Sequence, residues 1–162
     1  MYISVIIPTY NRKEKLEKTM NSFLAQDYPR DLYEVIVIDD GSKDGTKETL
    51  KYFCSTYPNV KYFSKPHEGP AAARNYGLER SQAEIVAFTD DDCILGRDWV
   101  RKMAEAHHER PDITAVGGVT KVGSRNICAA VSQFLASGAI DTYINGKKEV
   151  ICGRVQEKKD QN

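Results

Sequence analysis

The sequence has no excess of charge of either sign, because Lys and Arg total 23 and Asp and Glu also total 23. A neutral chain lacks the broad basic surface that binds nucleic acid, so we expect no nucleic acid partner and only local phosphate binding. The sequence also lacks the run of about 18 apolar residues that a membrane-crossing helix requires. Its N-terminus has no basic segment before a short apolar run, which predicts a strand and not a signal peptide. We therefore expect a soluble, cytoplasmic protein.

Cysteine is scarce and widely spaced, with no Cys-x-x-Cys pair among Cys54, Cys93, Cys128 and Cys152. This spacing argues against a zinc site or a disulfide scaffold and fits a reducing compartment. Cys93 lies beside an acidic cluster, so it is a candidate ligand or nucleophile. A small apolar side chain that fills space is the favoured interpretation.

The sequence does contain apolar runs that alternate with helical patterns, which is typical of an α/β sheet. The predicted strands are residues 3–7, 34–38, 60–63, 84–88 and about 113–119. A predicted helix follows each of the first four strands. The first helix is capped by Asn11, with Glu14 placed to bond back to the cap, and the other three span about 46–56, 70 onward and 98–108. Residues 129–140 have a helical pattern, and residues 142–162 have no assignment. We divide the chain into a core, residues 1–123, and a partial extension, residues 124–162.

Acidic residues follow two of the predicted strands, at the point where each strand ends. Asp39 and Asp40 follow the second strand, and Asp90, Asp91 and Asp92 follow the fourth. Ligands of open parallel sheets bind outside the carboxyl ends of the strands, so five carboxylates are expected to converge there. Mg²⁺ and Mn²⁺ take one or two carboxylates together with phosphate oxygens and water. Aspartate is also common in turns that bind no ligand. For Asp39 and Asp40 this interpretation is as strong as a ligand-binding role, and for the triplet it is weaker.

Other polar residues have competing interpretations. Arg74 follows a run of small residues at a helix start, where its planar fork can reach phosphate oxygens or lie on a solvated face. His67 is expected to line the pocket without a catalytic role. Asp44 and Asp98 are interpreted as helix caps. Two further pairs are interpreted as structural, His107 with His108 at a helix end and Trp99 with Met103 in the core.

Four segments together resemble a known family. SVIIPTYNR, EVIVIDDGSKDGT, EGPAAARNYGL and AEIVAFTDDDC with a downstream DW occur in this order and are similar to family 2 inverting glycosyltransferases of the GT-A fold. The resemblance covers about residues 1–120. It implies an α/β, Rossmann-like three-layer sandwich, with a mostly parallel sheet and helices on both faces. It also implies transfer of a sugar, with inversion, from a nucleoside diphosphate sugar to an acceptor.

The resemblance also implies roles for individual residues. Pro8, Thr9 and Tyr10 would line the base and ribose, with Tyr10 stacking, and Asp40 would hydrogen-bond the base. Arg74 falls in the helix that borders the nucleotide pocket.

The acidic triplet matches the family's DxD motif. Asp90 and Asp92 would hold Mn²⁺ or Mg²⁺, with Asp92 the direct ligand, and the metal would offset charge on the leaving diphosphate. Asp91 would face ribose or be structural. A carboxylate at Asp40 favours a UDP-sugar, because it accepts the N3 hydrogen of uracil, while GDP- and dTDP-sugars remain open.

The sequence departs from the family pattern at its C-terminal end. The acid pair that usually supplies a general base has no match, because none of Asp141, Glu149, Glu157 and Asp160 has such a context. We therefore name no base, and we expect an incomplete acceptor region. A donor-binding module without turnover is one alternative. A sugar nucleotidyltransferase is another, although residues 8–11 lack the Gly-rich basic loop that a triphosphate needs.

The acceptor remains open among a glycan, a lipid-linked glycan and a protein. Besides the donor and the acceptor, the candidate partners are a second copy of this chain and a membrane-associated protein. Binding to a membrane-associated protein would place this chain at the inner face of the membrane.

Overall fold

The computed structural model describes residues 1–109 and 149–151, the last three as backbone. The elements, in chain order, are β1 (Ile3–Thr9), α1 (Lys13–Leu24), β2 (Tyr33–Asp39), α2 (Thr46–Thr56), β3 (Val60–Ser64), α3 (Pro70–Arg80), β4 (Ile85–Phe88), α4 (Trp99–Glu109) and β5 (Glu149–Ile151), with one 3₁₀ turn (Arg30–Leu32) before β2. Within these segments, no helix combines the length and the apolar character that crossing a membrane would require.

The sheet has the strand order β3-β2-β1-β4-β5, and each neighbouring pair is parallel. The chain builds outward from β1 to β3 and then crosses back to place β4 on the other side of β1. The direction of strand addition therefore reverses between β1 and β4. In open parallel sheets, this reversal leaves a crevice at the carboxyl ends of the strands, where ligands bind.

The central strands are buried on both faces, since each of the seven residues of β1 and of β2 is buried. One face carries Val5, Val35 and their neighbours, which pack against apolar residues of α1, α2 and α4. The other carries Ile6 and Ile36, which pack against α3 through Ala73. Helices therefore cover both faces of a parallel sheet, which confirms the predicted three-layer α/β fold.

The predicted elements within residues 1–109 are confirmed, and each strand end lies within two residues of its predicted position. The capping prediction for α1 is wrong, because the helix begins after Arg12 and has no side-chain cap. Asn11 instead has φ 50°, and its Oδ1 accepts the backbone N–H of Lys43 at 2.7 Å. Asparagine tolerates this left-handed backbone, so Asn11 links two loops and does not start a helix.

Strand β5 falls in residues 142–162, for which no element was predicted. Its three residues are too few for a hydrophobic period, and only its parallel pairing with β4 defines it. The predicted strand at 113–119, the helix at 129–140 and the boundary at 123 lie outside the described residues.

Helix α3 approaches the sheet closely at Gly77. A Cβ atom built there would lie 2.6 Å from Cγ2 of Ile6 and 3.2 Å from Cγ1 of Ile38. Gly77→Ala is therefore expected to lower the free energy of unfolding by about 1–2 kcal/mol, because the overlap outweighs the gain in helix propensity. Urea unfolding followed by circular dichroism measures the change. Asn75→Ala, at an exposed position of the same helix, is the control, and an equal or higher stability for Gly77→Ala would contradict the close packing.

Candidate functional site

A pocket of about 610 Å³ lies at the carboxyl edge of the sheet, where the order of strand addition reverses. It is lined by the eight site residues predicted from the sequence, by His67, which was expected to line it, and by two further residues. The eight are Pro8, Thr9, Tyr10, Asp40, Arg74, Asp90, Asp91 and Asp92, and the two are Arg12 and Pro70. The structure therefore brings together residues from four separate segments of the sequence.

Backbone hydrogen bonds hold these loops beside one another. The N–H of Asp40 donates to the carbonyl of Thr9 at 2.9 Å, and the N–H of Thr89 donates to the carbonyl of Ile6 at 3.2 Å. These bonds extend the sheet ladder past the strand ends. Asp39 does not line the pocket; its Oδ1 accepts the N–H of Ser42 at 2.8 Å, so this aspartate has the turn role considered as the alternative.

The three consecutive aspartates have different environments. Asp91 is buried, its Oδ2 accepts the hydroxyl of Thr9 at 2.7 Å, and its backbone carbonyl accepts the hydroxyl of Thr19 at 2.9 Å. Burial raises the pKa of the Asp91 carboxyl, and the Thr9 hydrogen bond and the charge of Arg12 offset this only in part. Asp90 and Asp92 are 56% and 40% exposed. Asp91 thus anchors the turn, while its two neighbours are open to the pocket.

Three cations contact this triplet. Nη2 of Arg74 lies 2.6 Å from Oδ1 of Asp90. Nη1 of Arg12 is 3.2 Å from both Asp91 and Asp92, and Nζ of Lys15 is 3.4 Å from Asp92. Sequence reasoning missed Arg12 and Lys15, although Arg12 directly follows the turn after β1 and Lys15 lies one helical turn along. Among the residues that the structure describes, these three carboxylates and three cations sum to a formal charge of zero.

Asp40 is almost completely buried, with 2% of the residue exposed. Its carboxylate accepts hydrogen bonds from Nζ of Lys65 at 2.9 Å, from the N–H of Gly69 at 2.7 Å and from the N–H of Glu68 at 3.1 Å. Burial by itself raises the pKa of Asp40, but these hydrogen bonds outweigh it and hold the pKa below its ordinary value. Asp40 therefore fixes the loop between β3 and α3 as an ionised group, a role that the sequence did not reveal.

Tyr10 and His67 form a stacked pair at the mouth of the pocket. Their ring centroids are 3.9 Å apart and their planes differ by 18°. Nδ1 of His67 also lies 2.7 Å from Oδ2 of Asp40. The Tyr10 residue is 40% exposed, so this pair presents aromatic surface beside a buried carboxylate. His67 lines the pocket as expected.

The donor set around Asp90 and Asp92 fits a hard divalent cation. In the part of the chain that the structure describes, no group of three or more His, Cys, Asp or Glu side chains is arranged to hold a metal without help. In the sequence, the exposed carboxylates of Asp90 and Asp92 flank the buried Asp91. Two exposed carboxylates suit Mn²⁺ or Mg²⁺, because these ions complete their coordination with phosphate oxygens and water. Asp90 and Asp92 are therefore the residues that could hold such an ion, together with a bound diphosphate.

The remaining nominated residues have structural contacts. Asp44 accepts the N–H of Thr46 at 3.1 Å and that of Lys13 at 3.0 Å, so it serves the starts of two helices. Asp98 pairs with Nζ of Lys102 at 2.6 Å.

Two further predictions concern apolar packing. Trp99 packs against the core and meets Phe23 edge to face. Burial raises the pKa of the Cys93 thiol, which favours the apolar-filler interpretation. Asp141, Glu157, Asp160 and the side chain of Glu149 lie outside the described residues.

Comparison with known proteins gives consistent matches. The family described as Glycosyl transferase family 2 matches residues 4–155. Glycosyltransferase AglE of Haloferax volcanii is 42% identical over 102 residues, which are 62% of this chain and 34% of AglE.

Two solved structures share the fold. The structure of S. aureus TarS 1-349 in complex with UDP-GlcNAc has a TM-score of 0.70 at 29% identity and covers 78% of this chain and 36% of that one. The mannosyltransferase PcManGT of Pyrobaculum calidifontis, in complex with GDP-Man and Mn²⁺, has a TM-score of 0.64 at 34% identity over 74% of this chain and 35% of that one. The chain thus spans about a third of the length of these three relatives. The fold, the pocket and the family match agree, and the chain belongs to glycosyl transferase family 2.

Proposed function

We propose that this chain is the donor-binding part of an inverting glycosyltransferase, which binds a nucleoside diphosphate sugar together with Mn²⁺ or Mg²⁺. The observation that carries the proposal is the convergence of the residues after β1, β2 and β4 on one pocket, with Asp90 and Asp92 exposed in it. Similar proteins are known in complex with UDP-GlcNAc and with GDP-Man and Mn²⁺.

The base would bind at the end of the pocket formed by Pro8, Thr9, Tyr10 and Asp40. Uracil and thymine carry an N3–H that a carboxylate accepts, so Asp40 favours a UDP- or dTDP-sugar, and the N–H groups of guanine make a GDP-sugar the alternative. Because Nδ1 of His67 already lies 2.7 Å from Oδ2 of Asp40, the base would share that oxygen or take the place of His67. The exposed aromatic surface beside it supplies the stacking contact.

The diphosphate would bind beside the acidic triplet. Asp92 is the proposed direct metal ligand and Asp90 the second, with Arg74 placed to reach a phosphate oxygen. When bound, the metal supplies Lewis-acid stabilisation of the leaving nucleoside diphosphate. Asp91 holds the turn that carries these ligands in place, because it accepts hydrogen bonds from the hydroxyls of Thr9 and Thr19. The pocket therefore orients the donor and balances the charge that develops as the sugar leaves.

Sugar transfer is proposed for the whole protein, to a glycan, a lipid-linked glycan or a protein acceptor. We assign no general base to a residue of this chain. We also propose that the protein is cytoplasmic and attaches to the inner membrane face through a partner. A donor-binding module without turnover is the alternative, and release of sugar from a panel of donors distinguishes the two.

Ligand-dependent thermal stabilisation tests the proposal directly. UDP, GDP and dTDP are each added with Mn²⁺, with Mg²⁺ and with EDTA, and the melting temperature is recorded. A ligand at 100 times its Kd stabilises the folded state by about 2.7 kcal/mol, which is readily detected as a rise in melting temperature. We expect the rise with a nucleotide and metal together. Absence of a metal-dependent rise with all three nucleotides would refute the proposal.

Tyr10→Ala is expected to weaken binding of UDP by about tenfold in the presence of Mn²⁺, because stacking of a base on an aromatic ring is worth about 1–3 kcal/mol. Isothermal titration calorimetry measures the Kd. Tyr52→Ala is the control, since Tyr52 is 62% exposed on α2 and does not line this pocket. An unchanged Kd for Tyr10→Ala would show that the base binds elsewhere.

A further inference from the structure

Within residues 1–109, the charges around the acidic triplet are balanced before any ligand binds. Asp90 pairs with Arg74, while Arg12 and Lys15 both lie against Asp92. Arg12 contacts two of the aspartates at the same distance, because its Nη1 lies 3.2 Å from Oδ1 of Asp91 and 3.2 Å from Oδ2 of Asp92. The proposed metal ligands are therefore already neutralised by cations of the protein itself.

This balance decides which ligand the site accepts. A divalent cation entering alone would bring two positive charges next to three cations, and it would have to displace Arg12 and Lys15 from Asp92. A metal that enters with a nucleoside diphosphate sugar, whose two phosphate groups carry about two negative charges at neutral pH, brings a net charge of about zero. The two displaced cations then have phosphate oxygens to bind. The charges at the site thus oppose the free ion and favour the metal–diphosphate pair.

Resting on the function proposed above, we propose that Arg12 and Lys15 are counterions that exchange partners during donor binding. They neutralise Asp92 in the ligand-free protein and move to the diphosphate when the donor arrives with its metal. Both side chains can make this move, because Arg12 is 48% exposed and Lys15 is 57% exposed, each close to the pocket. Arg12 is suited to a phosphate by its planar fork, and Lys15 by its flexible stem.

The consequence is coupling between metal and nucleotide. The wild-type protein binds Mn²⁺ weakly without a nucleotide and tightly with one. Removing either cation has opposite effects on the two binding events, since it makes the carboxylate more available to free Mn²⁺ and removes a contact from the diphosphate. A residue that only stabilises the fold would not produce these opposite changes.

The experiment measures Mn²⁺ binding from the electron paramagnetic resonance signal of the free ion, first without nucleotide and then with UDP. Arg12→Gln and Lys15→Gln are each expected to bind Mn²⁺ alone about tenfold more tightly than the wild type, because each loses one repelling charge near the ion. Each is expected to bind UDP with Mn²⁺ about tenfold more weakly. Lys18→Gln, an exposed cation one turn further along α1, is the control and should match the wild type in both measurements.

The outcomes separate this inference from the function on which it rests. If the wild type binds UDP with Mn²⁺ but neither variant gains affinity for Mn²⁺ alone, the counterion exchange is refuted and the proposed function stands. If UDP, GDP and dTDP all fail to bind the wild type with Mn²⁺, the proposed function is refuted and the inference falls with it. Arg12 also contacts the buried Asp91, so Lys15→Gln decides the result if Arg12→Gln fails to fold by circular dichroism.

Discussion

Replacing Asp92 by asparagine is expected to abolish the Mn²⁺-dependent part of nucleotide binding, a loss of about 100-fold in affinity for UDP. The substitution removes a hard anionic ligand while nearly preserving the size of the side chain. It also leaves Arg12 and Lys15 without their shared carboxylate, so the pocket gains a positive charge. Titration of UDP in Mn²⁺ and in EDTA measures the effect, which should appear as equal affinities under the two conditions.

A control for the Asp92 variant should lose a carboxylate at a position away from the pocket. Asp31 is an exposed aspartate next to the amino end of β2, at the edge of the sheet opposite the pocket, and Asp31→Asn should retain the full dependence on Mn²⁺. The stability of Asp92→Asn should also stay close to that of the wild type, because the ion pairs it loses are exposed. A variant that still binds UDP more tightly with Mn²⁺ would exclude Asp92 as the essential ligand.

Replacing Asp40 by alanine is expected to lower the free energy of unfolding by about 3 kcal/mol, because two backbone N–H groups, of Glu68 and Gly69, lose a charged acceptor. Those hydrogen bonds, at 3.1 and 2.7 Å, hold the loop that leads into α3. Urea unfolding at neutral pH measures the loss. Glu68→Ala is the matched control, because it removes the other carboxylate that contacts Lys65, but one that is 60% exposed. A loss in Glu68→Ala as large as in Asp40→Ala would contradict the special role of the buried group.

The effect of Asp40 should also depend on pH in a defined direction. Its pKa in the folded protein lies below the ordinary value of 3.8, so folding favours the ionised form. The stability that it contributes is complete above about pH 4 and is lost as the pH falls through the folded-state pKa. The difference in unfolding free energy between the wild type and Asp40→Ala should therefore shrink in acid. A difference that stays constant from neutral pH to below pH 3 would refute the proposed ionic role of Asp40.

Much of the architecture followed from the sequence, because the apolar runs that form β1 and β2 are long, unbroken and bounded by turn residues. Burial on both faces requires such runs, so their pattern indicates a parallel sheet flanked by helices. The positions of Thr9, Asp40 and the acidic triplet followed from the same logic. They stand directly after strands, and parallel strands end at one edge of a sheet.

Local pattern was a poorer guide where a distant partner determines the structure. Asn11 has the residue type of a helix cap, but its side chain bonds Lys43 in another loop, and the helix begins later. Strand β5 exists through its pairing with β4, since its three residues have no recognisable period. Both cases depend on hydrogen bonds between segments far apart in the chain.

The order of residue types showed that three aspartates follow β4, and the family resemblance indicated the outer two as metal ligands. The folded structure was needed to show which carboxylate is buried, because the carboxylate and the backbone carbonyl of Asp91 accept hydrogen bonds from Thr9 and Thr19, which lie 82 and 72 residues away in the sequence. It likewise decided that Arg12 and Lys15 neutralise Asp92. Burial and charge pairing depend on distances in space, and residue types along a chain do not specify them until the fold brings β1, α1 and β4 together.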